Sequence, residues 1–280
     1  MRVLVTGAAG RIGAAIVRQL RERHTVLTTD CRALPGIDVV ADLGDPTALA
    51  PALEGIDALV HCAALHAPQV GICADAEFWR VNVEATASLV DLARRAGVAQ
   101  MVYTSTTALY GAASEQPDRA AWIDETTPPQ PRTVYHHSKL AAEQLLQAAS
   151  GPSFRVRLLR MSRCFPEALP LMAAYRLHRG VDARDVARAH ELALDFAGPA
   201  CATYVISAST PFLPEDAPAL KTHADRVIAR RAPALARAFA ERGWALPTSI
   251  DRVYCSAMAL VGLGWRSEYG FEAALGSSDD

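Results

Sequence analysis

No two cysteines in this chain form a C-x-x-C pair, and none of the six, at positions 31, 62, 73, 164, 201 and 255, has a histidine at zinc-finger spacing. That excludes the common structural zinc modules and the dithiol redox motif. A disulfide framework is not expected in 280 residues lacking a secretory signal. The first residues, Arg2-Val3-Leu4-Val5-Thr6, begin a strand, not an apolar leader with a cleavage site. No apolar run approaches the roughly 20 residues of a membrane helix. An excess of one charge is also missing: 28 Lys+Arg stand against 30 Asp+Glu, a net charge of −2. Gripping nucleic acid or an anionic membrane is therefore not the chain's main task. There is no internal repeat and no low-complexity tract. With 51% hydrophobic and 21% charged residues, the chain has ample material for a core, which excludes disorder. A soluble cytoplasmic protein with reduced thiols is expected.

What is present is an alternation of short apolar runs with helical patterns. Strands are predicted at 3–6, 25–29, 38–41, 58–62, 99–105, 154–160 and 203–207. Helices are predicted at 11–23, 46–53, 74–96, 133–149 and 185–196. Repeated β-α-β units imply an α/β fold, a doubly wound parallel sheet with helices on both faces. Residues 161–180 look irregular, and from Thr210 onward the chain reads as helical and proline-punctuated, with a frayed acidic tail at 276–280. The expected division is 1–160 plus 183–207 for the sheet, and 161–182 plus 208–275 for a small substrate-binding region.

Between the first strand and first helix lies Thr6-Gly7-Ala8-Ala9-Gly10-Arg11-Ile12-Gly13. Gly7 permits a tight turn, Gly10 lets a pyrophosphate approach a helix N-terminus, and Gly13 lets the helix pack close to the sheet. Asp30 ends the second strand 17 residues past Gly13, near the spacing of a ribose-binding acid. The pattern predicts a dinucleotide site. A carboxylate at Asp30 repels a 2′-phosphate, so NAD is expected over NADP, with Arg32 as the residue able to reverse that choice. Asp42, with Leu43, is placed either to reach the adenine or to cap the helix ahead of Pro46.

Tyr135 and Lys139 are separated by four residues near the start of a predicted helix, so they share a face. A phenol is a poor base at neutral pH until a nearby ammonium or an oxidised nicotinamide stabilises the phenolate. The fifth strand runs into Thr104-Ser105-Thr106-Thr107, hydroxyls at the carboxyl end where open α/β sheets bind ligands. His61, His66, His136 and His137 lie on different elements without ligand-like pairing, so no metal is expected. Cys164 reads as a small packed residue, with no activating base beside it.

These motifs, with H-C-A-A at 61–64, N-V-E-A-T at 82–86, T-S-T-T-A-L-Y-G at 104–111, L-R-M-S-R at 159–163, V-D-A-R-D-V-A-R-A-H at 181–190 and L-G-W at 263–265, resemble an extended short-chain dehydrogenase/reductase of the NAD-dependent epimerase/dehydratase family. The resemblance covers nearly the whole chain. It implies a Rossmann fold and a catalytic trio of Thr106, Tyr135 and Lys139. It further implies that Gly7, Gly10, Arg11, Ile12, Gly13, Asp30, Asp42, Leu43, Ala63, Ala64, Asn82, Tyr135 and Lys139 serve NAD. His66, Thr107, Arg163 and Arg176 are the candidate substrate contacts, Arg176 being equally readable as a solvated surface charge. The expected substrate is a sugar or nucleotide sugar. Two departures matter: Arg163 stands where the family usually has Asn, and the segment from there to Val181 is short. Both are similar to uronate dehydrogenases, which favours a net dehydrogenase of a free sugar or sugar acid as the alternative. A non-catalytic NAD-binding scaffold is the third reading. The family's pairing habit implies a homodimer through 74–96 and 133–149, with Leu89, Val90, Leu92, Leu140, Leu145 and Leu146 as candidate contacts.

Overall fold

A computed structural model describes residues 1–276. Seven parallel strands form the main sheet: β1 (Arg2–Thr6), β2 (Thr25–Asp30), β3 (Val39–Val40), β4 (Ala58–His61), β5 (Gln100–Thr106), β7 (Arg155–Met161) and β8 (Cys201–Ile206), in the order β3-β2-β1-β4-β5-β7-β8. The reversal of strand order falls between β1 and β4, which places a crevice at their carboxyl ends. Val3, Leu4, Val5, Leu59 and Val60 are wholly buried, as strands covered on both faces require.

One face of the sheet is covered by α1 (Arg11–Leu20) and α7 (Ala183–Asp195); their shared core holds Ile16, Val17, Leu20, Val186 and Leu194. The other carries α2 (Pro46–Leu49), α3 (Asp75–Trp79), α4 (Ala85–Arg95) and α5 (Val134–Ala149). Leu49, Leu89, Val90 and Leu146 pack there against Leu4, Leu59 and Met101. Leu89, Val90 and Leu146 are therefore sheet-facing and drop out as contacts between two copies, whereas Leu92, Leu140 and Leu145 stay half-buried.

Three local differences from the sequence reading have physical causes. The helix predicted over 74–96 is broken by one π-turn at Arg80–Glu84. The irregular stretch 161–180 contains α6 (Leu169–Tyr175), with Pro170 in its first turn, where a missing N–H costs nothing. The proline-punctuated end carries α8 (Ala217–Thr222), α9 (Ala224–Arg231), α10 (Pro233–Glu241), α11 (Ala257–Leu263) and α12 (Phe271–Gly276), but also a strand, β9 (Arg252–Tyr254), parallel to β6 (Ala121–Ile123). Phe212, Leu220, Ile228, Leu235, Phe239 and Val253 fill a separate apolar cluster around these helices. Gly276 closes α12; residues 277–280 of the predicted tail lie outside the described residues. Among the described residues no helix is long and apolar enough to cross a membrane.

Candidate active site

The turn after β1 is built on contacts only glycine allows. Gly7 has φ 69°, and a Cβ there would sit 2.6 Å from the Ala63 nitrogen. A Cβ on Gly13 would meet the Gly7 carbonyl at 2.0 Å, so α1 crosses directly over the turn. Gly10 is the N-cap of α1 and has no side chain to satisfy the first N–H groups of the helix, those of Arg11 and Ile12. Ile12 packs onto the core beneath, while the Arg11 guanidinium reaches the Cys164 carbonyl. Ala63 and Ala64 follow β4, and the Ala63 N–H points at Thr6 Oγ1 at 3.4 Å.

Asp30 closes β2 beside this turn. Its Oδ2 accepts from Ala9 N at 3.0 Å, and its Oδ1 from Arg32 N at 3.0 Å and Arg32 Nε at 3.1 Å. Burial alone would raise the carboxyl; hydrogen bonds from Arg32 and Ala9 outweigh it and hold the group below its ordinary value. Asp42 does not cap the following helix. Asp45 does, accepting from Thr47 N and Ala48 N. Asp42 is exposed and pairs with Arg80 at 3.1 Å, which lowers its pKa, while Leu43 packs against the core.

On the far side of the switch point, β5 ends in Thr106, whose Oγ1 accepts from Ala108 N at 3.0 Å. Thr133 caps α5 by accepting from His136 N, which puts Tyr135 in the first turn. The buried stripe of α5 is Tyr135, Ser138, Lys139, Ala142, Glu143 and Leu146, the spacing of one helical face. Thr106 lies near enough to Tyr135 to pull its pKa down, so the two expected hydroxyls are neighbours. Lys139 Nζ donates to the Thr104 carbonyl at 2.8 Å and lies 4.0 Å from the Tyr103 ring centroid. Thr107 is buried behind them, its carbonyl facing Tyr254 Oη.

The electrostatics differ from the simple expectation of a phenol acidified by an ammonium. Burial pushes Tyr135 up to about 12, with Thr106 pulling the other way. Burial likewise pushes Lys139 down to about 7 from 10.5, against the opposing charges of Cys62 and Glu143. Between those two lysine values the unfolded chain holds a proton that the folded chain has given up, so stability rises with pH across that window. Lys139→Met is expected to remove the rise. The difference in thermal midpoint between the variant and the parent should shrink against the variant's advantage as pH goes from 7 to 10; a pH-independent difference would contradict a buried, depressed lysine.

The π-turn explains Asn82. It directs this side chain inward, where Nδ2 donates to the Leu65 carbonyl and to Ser138 Oγ, both at 3.0 Å, and Oδ1 accepts from Leu65 N at 2.8 Å. One amide thus fastens the loop after β4 to the helix carrying Tyr135 and Lys139, a placement in keeping with the habit of π-turns. His61, buried between Thr6 and Thr86, is pushed down to about 3, first by burial and then by Lys139. Among the described residues no group of His, Cys, Asp or Glu is arranged to hold a metal.

The substrate candidates are less gathered. His66 is exposed at the start of a short 3-10 turn, and its ring meets Phe165 edge-on at 6.1 Å. Arg163 is bound by Glu167 at 2.8 and 2.5 Å and lies against the Phe165 and Tyr175 rings. Arg176 is not a solvated surface charge: it is buried against Asp182 and lines a groove along α1.

Ser105, singled out in the sequence only as one of the hydroxyls of β5, joins Glu143, Arg160 and Tyr110, none of which the sequence reading assigned a role, in one buried network. Ser105 Oγ donates to Glu143 Oε1 at 2.5 Å, Arg160 binds Glu143 through Nε and Nη2, and Arg160 Nη1 donates to Tyr110 Oη at 3.0 Å. A carboxylate on the buried stripe of α5, one turn past Lys139, was the signal available for this network.

Comparison with known proteins agrees with this geometry. The family model for the NAD dependent epimerase/dehydratase family matches residues 3–168. A protein of Methylococcus capsulatus named sterol demethylase protein B is 36% identical over 54% of this chain and 48% of its own. L-arabinose 1-dehydrogenase (NAD(P)(+)) of Haloferax volcanii is 33% identical over 51% of this chain and 59% of its own. This chain spans about half the length of the curated relatives it matches. Among solved structures, a short-chain dehydrogenase/reductase superfamily protein of Agrobacterium tumefaciens with bound NAD superposes with a TM-score of 0.73 at 23% identity, over 98% of this chain and 95% of that one. With more than half its length matched by the family model, the chain belongs to the NAD dependent epimerase/dehydratase family.

Proposed function

We propose that the chain is an oxidoreductase that moves hydride between a carbinol carbon of a sugar or nucleotide sugar and NAD. The observation that carries the reading is the placement of Tyr135 beside Thr106, which ends β5, with Lys139 one turn further along the buried face of α5. The residues present fit the dinucleotide. The uncapped first turn of α1 offers N–H groups to a pyrophosphate, and the space over Gly10 is open apart from the Gly7 carbonyl. Asp30 stands at the end of β2 for the adenosine ribose, with Leu43 and Asp42 beyond it and Ala63 and Ala64 lining the middle of the crevice. Bound there, NAD supplies the hydride acceptor. Tyr135 Oη takes the hydroxyl proton, Thr106 Oγ1 orients that hydroxyl, Lys139 serves the nicotinamide ribose, and Asn82 keeps the loop and helix in register. We take 161–182 and 208–275 as the substrate-binding region, with His66, Thr107 and Arg163 at its border.

A second reading has its own support. Arg163 N donates to the Arg179 carbonyl at 3.0 Å and Val181 N to the Arg163 carbonyl at 2.9 Å, so the chain leaves the sheet and returns to it within a short excursion. Such a wall favours a free sugar or sugar acid and net oxidation. A panel of sugars, sugar acids and nucleotide sugars with added NAD tests both. Accumulating NADH identifies a dehydrogenase; isomerised product without NADH identifies an epimerase. Bound NAD with no turnover on any of them would leave a scaffold and overturn the enzyme reading.

Cofactor choice follows from the Asp30–Arg32 pair. Asp30→Ala removes the acceptor for the ribose hydroxyls and frees Arg32 for a 2′-phosphate. Hydrogen bonds to a charged group are worth about 1.5–3 kcal/mol, so the ratio of NAD to NADP affinity should fall by about tenfold or more. Tighter binding of NADP than NAD by the unaltered chain would contradict the assignment. A homodimer through the outer faces of α4 and α5 rests on Leu92, Leu140 and Leu145. Light scattering across a concentration series should give the dimer mass, and a monomer throughout would remove the proposal.

A further inference from the structure

Lys139 is one of only two lysines in the chain, the other being Lys221. It is 2% exposed, and burying an ammonium is costly unless something compensates it. The acid one turn further along its helix face, Glu143, is taken up by Arg160 at 2.7 Å and Ser105 at 2.5 Å. What meets Nζ directly comes from two consecutive residues of β5. The Thr104 carbonyl accepts from it at 2.8 Å, and the Tyr103 ring faces it with its centroid 4.0 Å away. An ammonium has three N–H groups. The carbonyl takes one, the negative face of the ring takes a second direction, and a third is left for a ligand in the crevice.

The ring is a fixed seat. Tyr103 is 1% exposed, and its strand is paired on both sides, with His61 of β4 and Leu158 of β7 opposite its Cα. It shares a core cluster with Leu4, Leu59, Ala142 and Leu158. The His61 ring stands 5.5 Å away, and its two nitrogens are taken by Thr6 Oγ1 at 2.6 Å and Thr86 Oγ1 at 3.0 Å, so it does not compete for Lys139. The Tyr103 hydroxyl has no hydrogen-bond partner among the described residues. A tyrosine with an idle oxygen acts on its neighbours through its ring. A lysine stem is flexible, so the ammonium stays in one place only where contacts fix it. The strand that supplies both contacts ends in Thr106, which puts Lys139 and Thr106 in one rigid frame.

We propose that Tyr103 is a positioning residue: the face of its ring holds the Lys139 ammonium in place beside Tyr135 and Thr106. The proposal rests on the reading of Lys139 as the group that serves the nicotinamide ribose. The titratable and charged groups around Nζ are His61 and Cys62 from β4 and the residue after it, Tyr103 from β5, and Tyr135 and Glu143 from α5, with Arg160 of β7 behind Glu143. Of these, Tyr103 alone presents a ring face to Lys139.

Labelling both lysines with carbon-13 at Cε and following them by NMR in the full chain tests it. In the parent, the Lys139 ε-protons should lie upfield of those of Lys221, because they sit over a ring face. Tyr103→Phe keeps the face and should leave that displacement and the Lys139 titration in place. Tyr103→Leu removes the face. The displacement should vanish, and Lys139 should lose its proton about one pH unit lower, the worth of a desolvated cation on an aromatic ring. NAD affinity by titration calorimetry gives a second readout. In Tyr103→Leu it should fall several-fold below the parent at about pH 8 and approach the parent at about pH 6, where Lys139 is charged in both; Tyr103→Phe should follow the parent throughout. A loss of packing alone would weaken NAD equally at the two pH values. Lys139 ε-protons that are not displaced in the parent would overturn the proposal, and that spectrum decides even where Tyr103→Leu does not fold. So would an unchanged Lys139 titration in Tyr103→Leu, a pH-independent loss of NAD affinity, or a change in Tyr103→Phe as large as in Tyr103→Leu. Parent-like NAD binding by Lys139→Met would instead overturn the reading of the crevice, and the proposal with it, whatever the spectra show.

Discussion

Tyr135→Phe should lower turnover by about 10²–10⁴-fold, the usual loss when a positioned acid–base group is removed. The change deletes one oxygen and keeps a ring that is 8% exposed, so packing survives. What the fold loses is the phenol oxygen beside Thr106, and one neutral hydrogen-bonding group contributes about 0.5–1.5 kcal/mol at most. Folding and NAD affinity should therefore be close to those of the parent. The size of the kinetic effect follows from the burial that pushes Tyr135 up to about 12. At that value the phenolate is scarce at neutral pH, and the site must supply its stabilisation when cofactor and substrate are seated. Lys139→Met separates that contribution: it should weaken NAD binding together with turnover, and the remaining activity should need higher pH. Near-normal turnover of Tyr135→Phe on the true substrate would sink the mechanism, whatever the cofactor affinity.

The dinucleotide turn was legible because its chemistry is local. Gly7 and Gly13 are demanded by close backbone approaches within one strand–turn–helix unit, Gly10 leaves open space at the start of α1, and Asp30 ends the next strand. The Tyr135–Lys139 spacing was legible for the same reason, since a four-residue separation on a helix is geometry. The π-turn at Arg80–Glu84 was not: Val81, Asn82 and Val83 read as ordinary helix, and only the inward pull of Leu65 and Ser138 on Asn82 marks it. Strands β6 and β9 are three residues each, too short to show a period of two.

The charges were the least legible layer. Arg163 has Glu167 at i+4, a spacing compatible with an intramolecular pair, but that spacing alone does not distinguish such a pair from an arginine free to meet a substrate. The depressed Lys139 depends on what surrounds Nζ in three dimensions: the Thr104 carbonyl and the Tyr103 ring come from β5 and the Cys62 thiol from the residue after β4, both far from Lys139 in sequence.

Glu143→Leu should cost stability more than any other single change at the site. Glu143 is 1% exposed and Arg160 8%, by side chain, and their carboxylate–guanidinium contact is 2.7 Å. Burial alone would lower the proton affinity of Arg160; the hydrogen bonds and charge of Glu143 and Tyr110 more than offset it. Removing the carboxylate leaves that guanidinium uncompensated in the interior and takes the acceptor from Ser105 Oγ. Losing one partner of a buried pair costs about 3–5 kcal/mol, more than the pair itself contributes against an apolar substitute. The double change Glu143→Leu with Arg160→Met should therefore regain much of the loss, since neither charge is then stranded. Urea unfolding of the parent, both single variants and the double variant gives the coupling directly. Additive losses in that cycle would mean that Glu143 and Arg160 act separately, and that the floor beneath Thr106 and Lys139 is held by packing and not by the ion pair.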